Sequence, residues 1–139
     1  MKVVVISTYP PIVCGIAHCT NELFSEVGKR KVNVLVIAND SAKATDNVRV
    51  INVWKRNSIT SILKIFFNAI KEKPDIIDIQ FIHGLYGGTI NTIMFLLGMM
   101  ILKCSRKNIV FTIHEITALS KITNKYISMA NFKPLVHFG

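Results

Sequence analysis

The sequence predicts an α/β protein: a Rossmann-like parallel sheet with helices on both faces. Three observations carry this. Short runs rich in β-branched residues alternate with longer stretches of helical periodicity, the pattern of parallel strands joined by crossover helices. Several of the short runs are apolar at nearly every position, as in strands covered on both sides. Finally, the 139 residues are 50% apolar and only 18% charged, which excludes disorder and gives one domain by size.

The elements follow in order. Residues 2–7 (KVVVIS) form the first strand, and residues 8–15 a loop broken by Pro10-Pro11 and closed by Gly15. Residues 16–27 space Ile16, Leu23, Phe24 and Val27 for a helix, with Cys19 and Thr20 in its middle turn. Gly28 and Lys29-Arg30-Lys31 end it, where cations suit the negative end of the helix dipole. Residues 32–38 give a second buried strand, and residues 48–53, which alternate more, a third. Residues 58–73 read as an amphipathic helix stopped by Pro74. A fourth strand spans 75–81 (DIIDIQF), a loop holds Gly84, Gly87 and Gly88, a greasy helix runs over 89–104, and a fifth strand covers 108–113. Residues 117–130 suggest one more helix.

Seventeen basic and eight acidic residues leave a net charge of +9, which favours anionic partners. The basic set is 13 Lys and 4 Arg. Base reading leans on Arg, and no aromatics interleave with the cations, so nucleic acid is not an expected partner. Cys14, Cys19 and Cys104 are odd in number with no C-x-x-C pair, which points to neither zinc nor a redox dithiol. The six-residue apolar start is too short for a signal-peptide core, so a cytoplasmic location is expected. The apolar stretch 90–102 has 13 residues, fewer than the roughly 20 of a spanning helix. It reads as a buried or interface helix. With Lys103, Arg106, Lys107, Lys121 and Lys125 it also suits peripheral docking on an anionic membrane face.

In a doubly wound sheet, ligands bind beyond the carboxyl ends of the strands. Three loops leave such ends, at 8–15, 82–88 and 114–117, and all three carry unusual residues. After the first strand, the amides of Gly15, Ile16 and Ala17 open a helix N-terminus suited to a phosphate or a sugar hydroxyl; a turn that simply needs Gly is the plainer reading. Neither G-x-G-x-x-G nor a P-loop is present. After the fourth strand, Gln80, His83, Gly84, Gly87 and Gly88 could hold a polar ligand against backbone, or merely form a glycine-rich turn. At the mouth of the fifth, His114 could bind a hydroxyl or act as acid or base, or cap the next helix. Glu115 reads as a cap and His18 as a surface or packed residue; His137 has no assignable place. No D-x-D, H-x-H, H-E-x-x-H or G-x-S-x-G occurs, so no metal site, cofactor or serine triad is expected.

These loops resemble a known family. STYPPIVCGIAHCTNELFSEV is similar to the opening of GT-B glycosyltransferases of family 4, DIIDIQFIHGLYGG resembles their D-x-x-x-I-Q-x-E-x-G-[IL]-[FY]-G-G stretch, and NIVFTIHE resembles the strand ending in T-x-H. Order and spacing agree from residue 1 to about residue 117. The resemblance implies a retaining enzyme that moves a sugar from a nucleotide-sugar to a glycan or lipid-linked acceptor. Its amino-terminal domain binds the acceptor; its carboxy-terminal domain binds the nucleotide through an E-x7-E pair. Gly15 and the neighbouring amides would then face the donor phosphate or transferred sugar. Gln80, Gly87 and Gly88 would shape the acceptor side, and His114 would contact the transferred sugar. Ile82 replaces the family's acidic residue, and His83 sits where an aromatic is common, which puts the acceptor contacts in doubt. The four glutamates (Glu22, Glu26, Glu72 and Glu115) include no E-x7-E pair, and residues 131–139 do not resemble the family's next strand. The resemblance thus implies that residues 1–139 are an amino-terminal domain without its donor-binding half, inactive alone. A truncated remnant and a non-enzymatic membrane-surface module are the competing expectations.

Overall fold

Five short runs rich in β-branched residues become the strands of one sheet, and the three most apolar of them take the positions covered from both sides. The structure, a computed structural model, describes residues 1–45, 47–82 and 84–114. In chain order the elements are β1 (Lys2–Ile6), α1 (Gly15–Lys29), β2 (Asn33–Asn39), β3 (Arg49–Trp54), α2 (Ile59–Lys71), β4 (Ile76–Phe81), α3 (Thr89–Cys104) and β5 (Asn108–Ile113). All neighbours pair in parallel, in the order β3-β2-β1-β4-β5. The Rossmann-like α/β expectation therefore holds. The expected helix over 117–130 lies outside the described residues.

Side-chain alternation divides the sheet between two cores. Val3, Val5, Val34 and Val36 pack with Phe24 and Tyr9 on the α1 side. Val4, Ile6, Leu35, Ile37, Ile77 and Ile79 pack with Ile62, Ile65, Phe66, Phe95 and Leu102 of α2 and α3. Each such side chain is worth about 1.5–3 kcal/mol when fully buried. Where α2 meets α3, Gly98 lets the Phe66 ring approach so closely that a Cβ there would lie 2.1 Å from its Cε2. Phe66 and Phe95 rings sit 5.1 Å apart in the same seam.

One connection departs from strict alternation: among the described residues no helix lies between β2 and β3. The 40–48 turn is held instead by Asp40 N donating to Trp54 O (2.9 Å) and by Asn52 Nδ2 donating to the Asp40 and Ala42 carbonyls (each 2.9 Å). At the other side, β5 is half-covered. Val110, Phe111 and Ile113 are exposed, so among the described residues β5 is an edge strand. Among those same residues no helix is long and apolar enough to cross a membrane.

Candidate functional site

From β1 the chain turns to β2 on one side; from β4 it turns to β5 on the other. The gap between β1 and β4 is therefore the topological switch point, where such sheets place ligands. Loops 7–14 and 82–88 leave the carboxyl ends of these two strands. Between them lies a cleft of about 470 Å³ lined by Thr8, Ile12, Cys14, Asn39, Asp40, Trp54, Lys55, Arg56, Ile82, Gly84 and Leu85. A second, shallower cleft of about 570 Å³ borders it at Pro10, Ile12, Val13, Cys14, Gly15 and His18.

The first loop is rigid for local reasons. Tyr9 is fully buried. Its backbone N donates to Asn39 Oδ1 (2.9 Å) and its hydroxyl to Asn21 Oδ1 (2.7 Å). Ser7 and Thr20 join hydroxyls at 2.7 Å. The peptide between Pro10 and Pro11 is cis. Cys14 is the N-cap of α1, its Sγ accepting from Ala17 N at 3.3 Å. That bond occupies the Ala17 amide, which the sequence places beside Gly15 and Ile16 as a ligand donor. The Gly15 and Ile16 amides have no partner among the described residues. A Cβ at Gly15 or at Gly88 would meet open space, so the fold itself does not require glycine there.

Gly87 differs. Its φ is +131° and a Cβ would come within 2.5 Å of Asn57 Oδ1, so only glycine fits. Asn57 clamps this loop from the β3–α2 turn: its Oδ1 accepts from Gly88 N (3.1 Å) and its N donates to Tyr86 O (3.2 Å). Below the loop, the buried Tyr86 stacks on Phe95 and donates its hydroxyl to Gln80 O (3.0 Å). Burial raises its phenol far above the ordinary range.

The strongest polar arrangement runs across the ends of β4 and β5. Gln80 faces the same side of the sheet as Asp78, two residues earlier, and both are buried. Thr112 Oγ1 donates to Asp78 Oδ1 (3.2 Å), Gln80 Nε2 donates to Asp78 Oδ2 (2.6 Å), and His114 Nε2 meets Gln80 Oε1 (2.5 Å). Burial pushes the Asp78 carboxyl above its ordinary range, against the hydrogen bonds from Gln80 and Thr112 that pull it down. A carboxylate only accepts, so it fixes Gln80 with Nε2 towards itself and Oε1 towards His114. An amide oxygen also only accepts, so His114 carries its proton on Nε2. In that tautomer Nδ1 is the acceptor. His114 itself is exposed, and its N bonds Phe81 O at 3.0 Å in continuation of the ladder.

The fold brings together part of the expected site. Gly15 lines a cleft at the switch point. Gln80 and His114 form one unit, but both ends of the Gln80 amide are engaged internally, so it reaches a ligand only through His114. Gly87 is explained by the Asn57 contact, whereas Gly88 faces open space. None of Gln80, Gly87, Gly88 and His114 lines either cleft. His83 and Glu115 lie outside the described residues. His18 is exposed and pairs with Glu22 one turn on, at 3.1 Å. Sequence reasoning missed Asp78, Thr112 and the cleft cations Lys55 and Arg56. A polar pair two residues apart in an apolar run, Asp78 and Gln80, was the available signal for the first.

Fold and crevice together define a doubly wound α/β domain with a cleft at its topological switch point. No protein-family model matches the sequence, and no curated protein matches it.

Proposed function

We propose that this chain is the acceptor-side domain of a retaining GT-B glycosyltransferase. The observation that supports it is the meeting of the β1 and β4 loops at the switch point, in a chain whose β5 ends on a buttressed histidine. In this reading, the Gly15 and Ile16 amides face the donor phosphate or the transferred sugar. A sugar hydroxyl donates to His114 Nδ1, whose orientation Gln80 and Asp78 maintain. Gly87 and Gly88 border the acceptor. The E-x7-E donor half comes from other sequence, because none of the glutamates here has that spacing.

NMR titration of the full chain tests this, with a panel of glycosides and sugar phosphates, and with UDP-glucose and GDP-mannose. Glycosides or sugar phosphates should perturb the Gly15 and Gly88 amides and the His114 ring, while the nucleotide-sugars alone bind weakly. Sugar transfer should arise only after addition of a donor-binding domain carrying E-x7-E; reading the DNA beyond the Gly139 codon is the first place to seek it. Transfer by the chain alone would overturn the division of labour. No response to any glycoside or sugar phosphate, with non-cooperative melting, would favour an inactive remnant.

A further inference from the structure

The outer face of α2 and α3 is apolar and uncovered among the described residues. Leu63 and Phe67 of α2, and Ile90, Ile93, Leu97 and Met100 of α3, are all exposed, Phe67, Ile90 and Met100 by about two-thirds (67%, 66% and 65%). On α3 the outward arc carries no charge from Thr89 to Leu102. Such a surface exceeds what scattered exposed hydrophobics explain.

Its charge is equally one-sided. Neither helix contains Asp or Glu. Lys55 and Arg56 precede α2, Lys64 and Lys71 lie on it, and Lys103 and Arg106 stand at the end of α3; all six are exposed. Both helices run antiparallel to the strands they connect, so cations mark both ends of the apolar face. Glu72, the acid at the α2 C-cap, is paired with Lys2 at 2.5 Å. A second copy of the chain placed face to face would oppose cation to cation. Among the described residues, an apolar centre on two helices that carry cations and no acids is complementary to lipid acyl chains beneath anionic headgroups.

We infer that the α2–α3 face docks on an anionic lipid bilayer. The docking stands apart from the glycosyl-transfer reading; it shares Lys55 and Arg56 with the cleft, and Leu97, Met100, Lys103 and Arg106 lie outside that site. The helices lie in the interface plane, with Leu97 and Met100 at the acyl boundary and Lys103 and Arg106 among the headgroups.

Flotation of the full chain with vesicles tests it, comparing phosphatidylcholine alone with a phosphatidylcholine–phosphatidylglycerol mixture about one-third anionic. Binding is expected to the mixed vesicles at low salt, weakening as salt rises. L97Q/M100Q should lower it at least tenfold on the mixed vesicles. K103E/R106E should do the same, since each cation near an anionic surface is worth about fivefold. L23Q, at an exposed position of α1 on the opposite face, should bind as the wild type does. Circular dichroism melts confirm that the variants fold; all altered side chains are exposed. Absence of flotation on anionic vesicles at low salt would overturn the inference. So would undiminished binding by L97Q/M100Q or by K103E/R106E, or a dimer abolished by L97Q/M100Q in a chain that ignores vesicles.

Discussion

Gly98→Ala probes the α2–α3 seam with a single methyl group. The new Cβ would start 2.1 Å from Phe66 Cε2 and 2.2 Å from Cδ2. The ring would have to retreat about 1.3 Å to restore ordinary contact at 3.4 Å. It has little room, being buried and packed at a tilt of 57° against Phe95, with the centroids 5.1 Å apart. Overpacking of this kind costs about 1–3 kcal/mol. So close an approach, under 2.5 Å to two ring carbons, belongs at the upper end of that range; alanine returns about 1 kcal/mol of helix propensity, so the net loss should be about 2 kcal/mol. Urea denaturation should show a lower midpoint at unchanged slope. The double variant G98A/F66L should recover most of the loss, because leucine vacates the space the methyl needs. A G98A protein as stable as the wild type would refute the reasoning, as would a double variant whose losses simply add.

Asp78→Asn should change how stability depends on pH. The folded carboxyl titrates above its ordinary value of 3.8, so folding binds the proton, and Asp78 stabilises least once ionised. Its contribution declines as pH rises from about 3.8 through the raised folded value, whereas Glu72, held low by its bond from Lys2, acts in the opposite sense. The stability of D78N minus that of wild type should therefore grow with pH across that window; parallel urea midpoints from acid to neutral pH would refute the assignment. Gly15→Ala should leave the melting temperature within about 2 °C, since a Cβ meets open space, yet abolish the glycoside-induced shifts at residues 15 and 16; unchanged shifts would remove these amides from the site. Gln80→Met should free His114, giving a mixture of Nδ1–H and Nε2–H tautomers in long-range nitrogen–proton spectra, against Nε2–H alone in the wild type.

The fold was legible because most of its strands are nearly continuous apolar runs and its helices carry clear stops. Predicted boundaries for α3 and β5 agree with the structure, and the others fall within a few residues. The direct β2–β3 connection was not singled out in the sequence, where general alternation was expected, although residues 39–47 show no helical period. The site was harder. Cys14 caps α1 with a thiol, a residue type outside the usual capping set. Gln80 looked like a ligand contact because it ends a strand; only the register with Thr112 and the bond to Asp78 reveal an internal strut. Lys55 and Arg56 border the cleft through the sheet order, which places β3 two strands from β1 and is invisible to local pattern.

The amide between Asp78 and His114 has a consequence of its own. A carboxylate touching an imidazole directly can exchange a proton with it. Gln80 accepts from one neighbour and donates to the other, and at ordinary pH it neither gains nor gives up a proton. It is an insulator as well as a strut: direction passes through it and charge does not. Gln80→Glu would turn the insulator into a wire, coupling a buried acid, a second acid and a histidine into one titrating unit.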